Sequence, residues 1–217
     1  MIQIQPETTK DPISLMGREA GVCWGREGND YKRGLDCIKS GHGRVMEYPQ
    51  VYMVVDASAR MIRELYTHIG GSPTRLQAST RYIDYKDFDV VVPPSIEQDA
   101  YRESTYRVAI DKIVETMQML ECMGVPREDI AMLLPLGMVS RVVLRTNLRN
   151  LADMSRQRMC NRAYWEFRQF MLELTANLEE YSEEWRTVTE MCFMPKCEHL
   201  GYCPEIKSCG MMPQREG

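Results

Sequence analysis

Arginine is concentrated in one stretch of the chain. Between residues 140 and 162 there are six arginines, and Asp153 is the only acid among them. Arg141, Arg145 and Arg149 are four residues apart, a spacing that would place them along one side of a helix. Because the planar arginine fork suits phosphate and carboxylate groups, the stretch predicts a site for an anionic ligand. The alternative is a solvated basic face, or arginines that pair with acids elsewhere in the fold.

The composition favours a small anion over a polyanion. The 217 residues include 27 basic and 31 acidic side chains, a formal charge of −4, which argues against a general nucleic-acid-binding protein. A hydrophobic fraction of 44% is enough for a packed core. We expect no membrane span, because the sequence has no long apolar run, and we expect a cytoplasmic protein whose cysteines are reduced, because it has no secretory signal pattern.

Apolar periodicity predicts the elements that would position these residues. The longest predicted helix, 103–123, has an apolar face that we assign to the core. That face consists of Tyr106, Ala109, Ile110, Ile113, Met117 and Leu120. The other predictions are strands at 2–5 and 50–55, an extended segment at 84–92, and helices at 14–22, 30–40, 58–67, 126–134 and 164–178.

Several short motifs occur in an order and spacing that resemble one family. The arginine-rich stretch contains Pro135-Leu136, Arg141, Asn147-Leu148-Arg149, Arg158 and Trp165-Glu166. Together these resemble the C-terminal signature region of the flavin-dependent thymidylate synthases. Upstream, Gly41, His42 and Glu47 match a segment that lies near the flavin in that family, although Arg44 and Tyr48 depart from its pattern.

The hallmark motif of that family is only partly present. Ser79-Thr80-Arg81-Tyr82 resembles its last part, which holds the nucleotide phosphate. Thr67-His68-Ile69 stands where the family has Arg-His-Arg, and the gap from His68 to Ser79 is two residues longer than the family pattern. The nucleotide half of the resemblance is therefore better supported than the flavin half.

The resemblance implies a fold, an assembly and a reaction. The fold would be α+β, a central antiparallel sheet flanked by long helices, and the assembly a homotetramer. The reaction would be the methylation of dUMP to dTMP, with methylenetetrahydrofolate as the carbon donor and NADPH-reduced FAD as the hydride source. By the same resemblance, the nucleotide would be bound by Ser79, Thr80, Arg81 and Arg141, and the uracil would be contacted at the catalytic centre by Arg158. The residues at the FAD would be His42, Glu47, His68, Asn147, Arg149 and Asp153.

Two other functions remain open at this point. The altered segment Thr67-His68-Ile69 allows for a diverged flavoenzyme that modifies a pyrimidine nucleotide differently, for example by hydroxymethylation. It also allows for a nucleotide-binding protein that has lost its flavin and does no catalysis. A flavin spectrum of the purified protein would exclude the second function, and analysis of the product would test the first.

The C-terminus has a different composition from the rest of the chain. We predict a main domain at 1–190 and a cysteine-rich tail at 191–217. Within the tail, Cys192, Cys197, Cys203 and Cys209 could hold a structural zinc ion in a tetrahedral site. Their spacing is wider than is typical of zinc sites, and an iron–sulfur cluster or unligated cysteines are the alternatives.

Overall fold

A four-stranded sheet is the centre of the fold. The computed structural model describes residues 1–215, and its strands are β1 (Ile2–Ile4), β2 (Gln50–Ser58), β3 (Thr74–Gln77) and β4 (Val139–Asn147), in the order β1-β2-β4-β3. β1 pairs antiparallel with β2, with Ile2 opposite Val55 and Ile4 opposite Met53. The predicted α+β class with an antiparallel sheet is confirmed.

Helices make up most of the remaining ordered chain. Most of the helices predicted from apolar periodicity are present within a few residues of their expected bounds, and the predicted short helix at 126–134 is a helix followed by a 3₁₀ turn at 131–133. The helices are α1 (Pro12–Trp24), α2 (Asp30–Lys39), α3 (Ala59–Leu65), α4 (Pro94–Glu97), α5 (Ala100–Cys122), α6 (Arg127–Ile130), α7 (Leu148–Arg158), α8 (Trp165–Tyr181), α9 (Glu183–Cys192) and α10 (Lys196–Leu200).

The chain divides into two compact units. The first unit comprises residues 1–55, 67–75 and 143 onward, so it contains the described part of the predicted tail. Its core is built from fully buried side chains such as Trp185, Phe167 and Leu148. Residues 216 and 217, the end of the predicted tail, lie outside the described residues.

Close backbone contact joins α1 to α2 inside the first unit. A Cβ atom added at Gly17 would lie 1.7 Å from the backbone oxygen of Asp30, and one added at Gly34 would lie 2.0 Å from that of Ile13. Both helices therefore need glycine at their crossing, since any side chain there would push them apart. Arg33 secures the same pair by donating from Nη1 to the carbonyl of Gly17 at 2.9 Å.

The second unit comprises residues 56–66 and 76–142, and its core is smaller. Met61, Ile62 and Leu65 on α3 are fully buried there. α5 is the longest helix of the unit, but Met117 is its only buried residue. Our prediction that the apolar face of this helix belongs to the core is therefore wrong for the single chain, in which Tyr106, Ile110, Ile113 and Leu120 are only half-buried and Ala109 is exposed.

The segment predicted to be extended at 84–92 is mostly irregular. Val90 alone forms an isolated antiparallel bridge, with Met138, flanked by a bond from Val91 N to the carbonyl of Gly137 at 2.8 Å. The β-branched residues that suggested a strand lie at the end of the segment, next to two prolines that cannot donate to a ladder. The prediction of an extended strand is wrong for residues 84–89.

Candidate functional site

The arginines of the basic stretch do not lie on one helix. Arg141 and Arg145 lie on β4, and Arg149 follows in the first turn of α7. Along β4 the side chains alternate between buried and exposed, with Val142 and Leu144 inside and both arginines outside. The helical stripe proposed from the four-residue spacing is therefore wrong, but an even spacing also keeps two residues on one face of a strand.

In the second unit, the two predicted phosphate-binding elements are neighbours. The backbone N–H of Ala78 donates to the backbone oxygen of Arg141 at 2.8 Å, so the end of β3 lies beside the arginine of β4. Ser79 follows directly, and its hydroxyl accepts from the backbone N–H of Arg81 at 3.2 Å. The structure thus brings Ser79 and Arg141, which are far apart in sequence, to one edge of the sheet.

Arg141 forms a bidentate ion pair with the carboxylate of Asp56. Its Nε and Nη2 donate to the two oxygens of Asp56 at 2.7 and 2.8 Å, and its side chain is 66% exposed. The hydrogen bonds from Arg141 lower the pKa of Asp56, so Asp56 stays charged at neutral pH. Asp56 was not among the predicted site residues, and its only signal in the sequence is an acid directly after the apolar run that ends at Val55, inside β2.

Arg81 is paired in a similar way at the surface of the second unit. Its Nε donates to Glu128 at 2.8 Å, and both side chains are more than half exposed. Thr80, between the two predicted contacts, lines a cavity of about 260 Å³ whose wall includes Lys86 and Met117. Lys86 bonds to Glu121 at 2.9 Å, so the charge in that cavity is compensated.

In the first unit, the predicted cofactor residues form a surface group and a buried group. At the surface, Glu47 accepts from Arg149 at 2.6 Å and from Arg44 at 3.1 Å. The hydrogen bond from Arg149 is the main reason that the pKa of Glu47 is lowered. His42 is exposed on the loop before these residues, and its backbone N–H donates to Cys37 at 2.9 Å.

The buried group is centred on His68, which is 8% exposed. Nε2 of His68 accepts from Nε of Arg158 at 2.9 Å, so the imidazole must carry its proton on Nδ1. Burial is the largest cause that lowers the pKa of His68 to about 4, and the charges of Arg158 and Arg75 add to it. The guanidinium of Arg158 also lies 4.6 Å from the ring centre of Phe167, which fixes its plane.

Asn147 caps α7 and does not face solvent. It is 3% exposed, and its side-chain oxygen accepts from the backbone N–H of Asn150 at 2.9 Å. A Cβ atom at Gly71, which has φ of 68°, would lie 1.9 Å from the Asn147 amide nitrogen. Asn150, which sequence analysis missed, is recognisable only from the Asn-x-x-Asn spacing of a cap. Asn147 therefore fixes the helix that carries Arg149.

Replacing Asn147 by alanine should lower the free energy of unfolding by about 1–2 kcal/mol, because α7 would lose its N-cap. Asn147→Asp keeps a capping oxygen and is the matched control, so it should lie closer to the parent protein. Chemical denaturation of the three proteins measures the difference. An alanine variant as stable as the parent would show that the cap contributes nothing.

Asp153 lies on the exposed side of α7, away from the buried group. It pairs with Arg156 at 3.3 Å, and its side chain is 54% exposed. This local pair partly offsets the positive charge of the arginine-rich stretch, as an acid and a base three residues apart on a helix commonly do.

The tail cysteines fall into two different environments. Cys197, Cys203 and Cys209 line a cavity of about 350 Å³ together with Cys160, which sequence analysis did not include. Cys192 ends α9, and burial raises the pKa of its thiol to about 11. Within residues 1–215, no group of three or more His, Cys, Asp or Glu side chains stands in an arrangement for a single metal ion.

The described residues also contain no helix that is both long and apolar enough to cross a bilayer.

Comparison with known proteins identifies the family of the chain. Residues 7–182 match the family model described as thymidylate synthase complementing protein. Flavin-dependent thymidylate synthases similar to this chain include that of Pyrococcus horikoshii, at 31% identity over 188 residues, covering 82% of this chain and 74% of the relative. That of Pyrococcus abyssi is 30% identical over 173 residues, covering 76% and 69%. That of Nitratidesulfovibrio vulgaris is 27% identical over 190 residues, covering 82% and 75%. With an α+β fold and a family match over most of its length, the chain belongs to the thymidylate synthase complementing protein family.

Proposed function

We propose that this protein methylates dUMP to dTMP, with methylenetetrahydrofolate as the carbon donor and FAD reduced by NADPH as the hydride source. Family membership supports a flavin-dependent thymidylate synthase. The observation that carries the proposal is the contact between Ala78 N and Arg141 O, which sets Ser79 and Arg141 side by side. A hydroxyl and a guanidinium at one sheet edge form a donor set that suits a phosphate monoester.

The nucleotide phosphate would bind two arginines that form hydrogen bonds to carboxylates in the unliganded chain. Arg141 uses Nε and Nη2 on Asp56, which leaves Nη1 to donate outward. Arg81 bonds to Glu128 through Nε, in a pair so exposed that it adds little stability. A phosphate dianion carries more charge than either carboxylate, so it can share Arg141 with Asp56 and draw Arg81 from Glu128. These two residues would then fix the position of the pyrimidine.

The surface residues of the first unit fit the anionic part of FAD. The side chains of Arg149 and Arg44 are 49% and 84% exposed, and they share one carboxylate, Glu47, so the group keeps a net positive charge. Such a pair suits the diphosphate of a dinucleotide. Asn147 and His68, in contrast, are buried and would act by positioning their neighbours. When bound and reduced, FAD supplies the hydride of the reaction.

Arg158 would hold the uracil in a fixed orientation. Its guanidinium is positioned by the neutral His68 and by the ring of Phe167. The degenerate segment Thr67-His68-Ile69 lacks the two arginines of the family pattern, but Arg75 donates to the carbonyl of His68 at 2.9 Å. Two guanidinium groups from elsewhere in the chain thus contact this segment, which supports a site that still handles an anionic or carbonyl-bearing ligand.

We propose that the protein is a homotetramer whose chains meet on the outer face of α5. Tyr101, Val108 and Met119 lie about two and three helical turns apart on one face of this helix, and they are 82%, 64% and 49% exposed. The half-buried stripe of α5 lies on the opposite face. Lys112 and Glu115 share the exposed face with the three apolar residues, and they pair with each other at 2.9 Å. A second copy of the chain would cover the exposed side.

Val108→Glu should therefore reduce the mass measured by light scattering, because it places a charge in the proposed contact. Gln118→Glu, which adds the same charge on another side of α5, should leave the mass unchanged. A parent protein that is already monomeric would exclude this assembly.

The cytoplasm remains our predicted location. The absorbance spectrum of the purified protein tests the flavin part of the proposal, with the expected result of a bound flavin that is released on denaturation. A colourless protein that takes up no added FAD would leave only nucleotide binding.

A further inference from the structure

Four cysteines and four basic side chains surround one cavity near the C-terminus. Its lining includes Cys160, just after α7, together with three cysteines of the tail. The basic residues are Arg156, Arg158, Arg162 and Lys196. All of these residues belong to the first unit of the fold. One of these basic residues, Arg158, is also the proposed uracil contact.

The path of the tail accounts for this convergence. Cys197, Cys203 and Cys209 are evenly spaced, and left-handed glycines at Gly201 and Gly210, with φ of 75° and 84°, reverse the chain between and after them. The backbone N–H of Cys203 donates to Pro213 at 2.7 Å, which closes the outer part of the loop. Only glycine adopts such φ values without strain.

Contacts across the cavity link Cys160 to the tail. Arg162, two residues after Cys160, donates to Glu205 of the tail at 2.6 Å. Asn161, next to Cys160, lies 3.9 Å from the sulfur of Cys209. The cysteine side chains thus approach the cavity from two segments that are far apart in sequence.

The charge of the lining suits an anionic group. Glu205 is the only acid among the described residues of the lining, and it bonds to Arg162 at 2.6 Å. Four thiolates bound to a zinc ion or to an oxidised four-iron cluster carry a net charge of about −2. Nearby guanidinium and ammonium groups reduce the cost of placing that charge in a partly buried site.

The size of the cavity favours a cluster over a single ion. A structural zinc site is closed, with four sulfurs at about 2.3 Å from the metal and no space for solvent. The pocket here is open to solvent and has a volume of about 350 Å³, so it has room for a group larger than one ion. We propose that Cys160, Cys197, Cys203 and Cys209 ligate an iron–sulfur cluster that orders the tail.

This assignment differs from the zinc site predicted from sequence in its metal and in one ligand. Cys192 lies at the end of α9, where its carbonyl accepts from the Ser155 hydroxyl at 3.3 Å. Its buried thiol is not among the described residues that line the cavity. Cys160 takes its place as the fourth ligand. The bonds between the cluster and the four cysteines would order a short segment that has little core of its own.

Iron and acid-labile sulfide in the full chain, purified without oxygen, test the proposal. We expect about four of each per chain. Cys209→Ser alters an exposed residue, so it should fold and lose most of the iron and sulfide. Cys192→Ser and Cys122→Ser are the matched controls, and both should keep the parent content. Circular dichroism of each variant checks that the main fold is intact.

Two results would overturn the assignment. A protein that holds about one zinc and no sulfide would replace the cluster with a single ion. A protein that contains no metal after purification, and takes up no iron and sulfide on anaerobic reconstitution, would leave the cysteines as packing residues. Neither result depends on dUMP turnover, so the failure of this assignment would not count against the proposed reaction.

Discussion

Replacing Arg141 by alanine should weaken dUMP binding about 10- to 100-fold, which corresponds to the loss of a charge-assisted hydrogen bond to phosphate. The reason is the outward-facing guanidinium at the edge of β4, beside Ser79. Arg81→Ala should have an effect of similar size. Titration calorimetry on folded protein measures both.

The nucleoside deoxyuridine separates a phosphate contact from a general loss of binding. Because it lacks the phosphate, it should bind the parent protein and Arg141→Ala with equal affinity. Arg186→Ala removes another exposed arginine, which is paired with Glu183 at 2.8 Å, and should leave dUMP binding unchanged. Unchanged dUMP affinity in both Arg141→Ala and Arg81→Ala would show that the two arginines form surface ion pairs and do not bind the phosphate.

The second large effect is a loss of stability in mild acid that depends on His68. The pKa of this residue is lowered to about 4 in the folded protein, against 6.5 for an ordinary histidine. Between these values the unfolded chain binds a proton that the folded chain does not, so stability falls as the pH is lowered from about 6.5 to 4. The contribution is about 2 kcal/mol at pH 5 and on the order of 3 kcal/mol when complete.

His68→Gln should remove this contribution and keep an acceptor for Arg158. The free energy of unfolding, measured at pH 7.5 and pH 5 and at one protein concentration, should then fall less in the variant than in the parent protein. His42→Gln replaces an exposed histidine and should retain the full pH dependence of the parent. Identical pH dependence in His68→Gln and the parent would mean that His68 titrates normally in the folded state.

Local sequence signals were sufficient for several helices, among them α2, α3, α5 and α8, but not for α9 or for β4. The apolar period of 103–123 and its glycine end located α5 to within a few residues. For Arg141 and Arg145, however, a spacing of four residues fits one side of a helix and one face of a strand equally well. The buried residues between them, Val142 and Leu144, settle the choice, because their alternation has the period of two that a strand requires.

The long-range partners in the candidate site could not be predicted from sequence. Asp56 and Arg141 are 85 residues apart, and no local pattern joins them. Cys160 precedes the tail cysteines whose cavity it shares by 37 to 49 residues, and no local pattern joins it to them either. The stripe of α5 from Tyr106 to Leu120 was misassigned to the core for a different reason, since periodicity reveals that a face is apolar but not how far the chain itself buries it.

Product analysis is the most direct test of the proposed reaction. The purified protein is supplied with FAD and incubated with dUMP, methylenetetrahydrofolate and NADPH, and the nucleotides are separated and identified by mass. We expect dTMP, formed only when all three substrates are present, and strongly reduced formation by Arg158→Ala that still binds flavin. Hydroxymethylated dUMP in place of dTMP, or unchanged dUMP from a protein that holds flavin and binds the nucleotide, would contradict the proposed reaction.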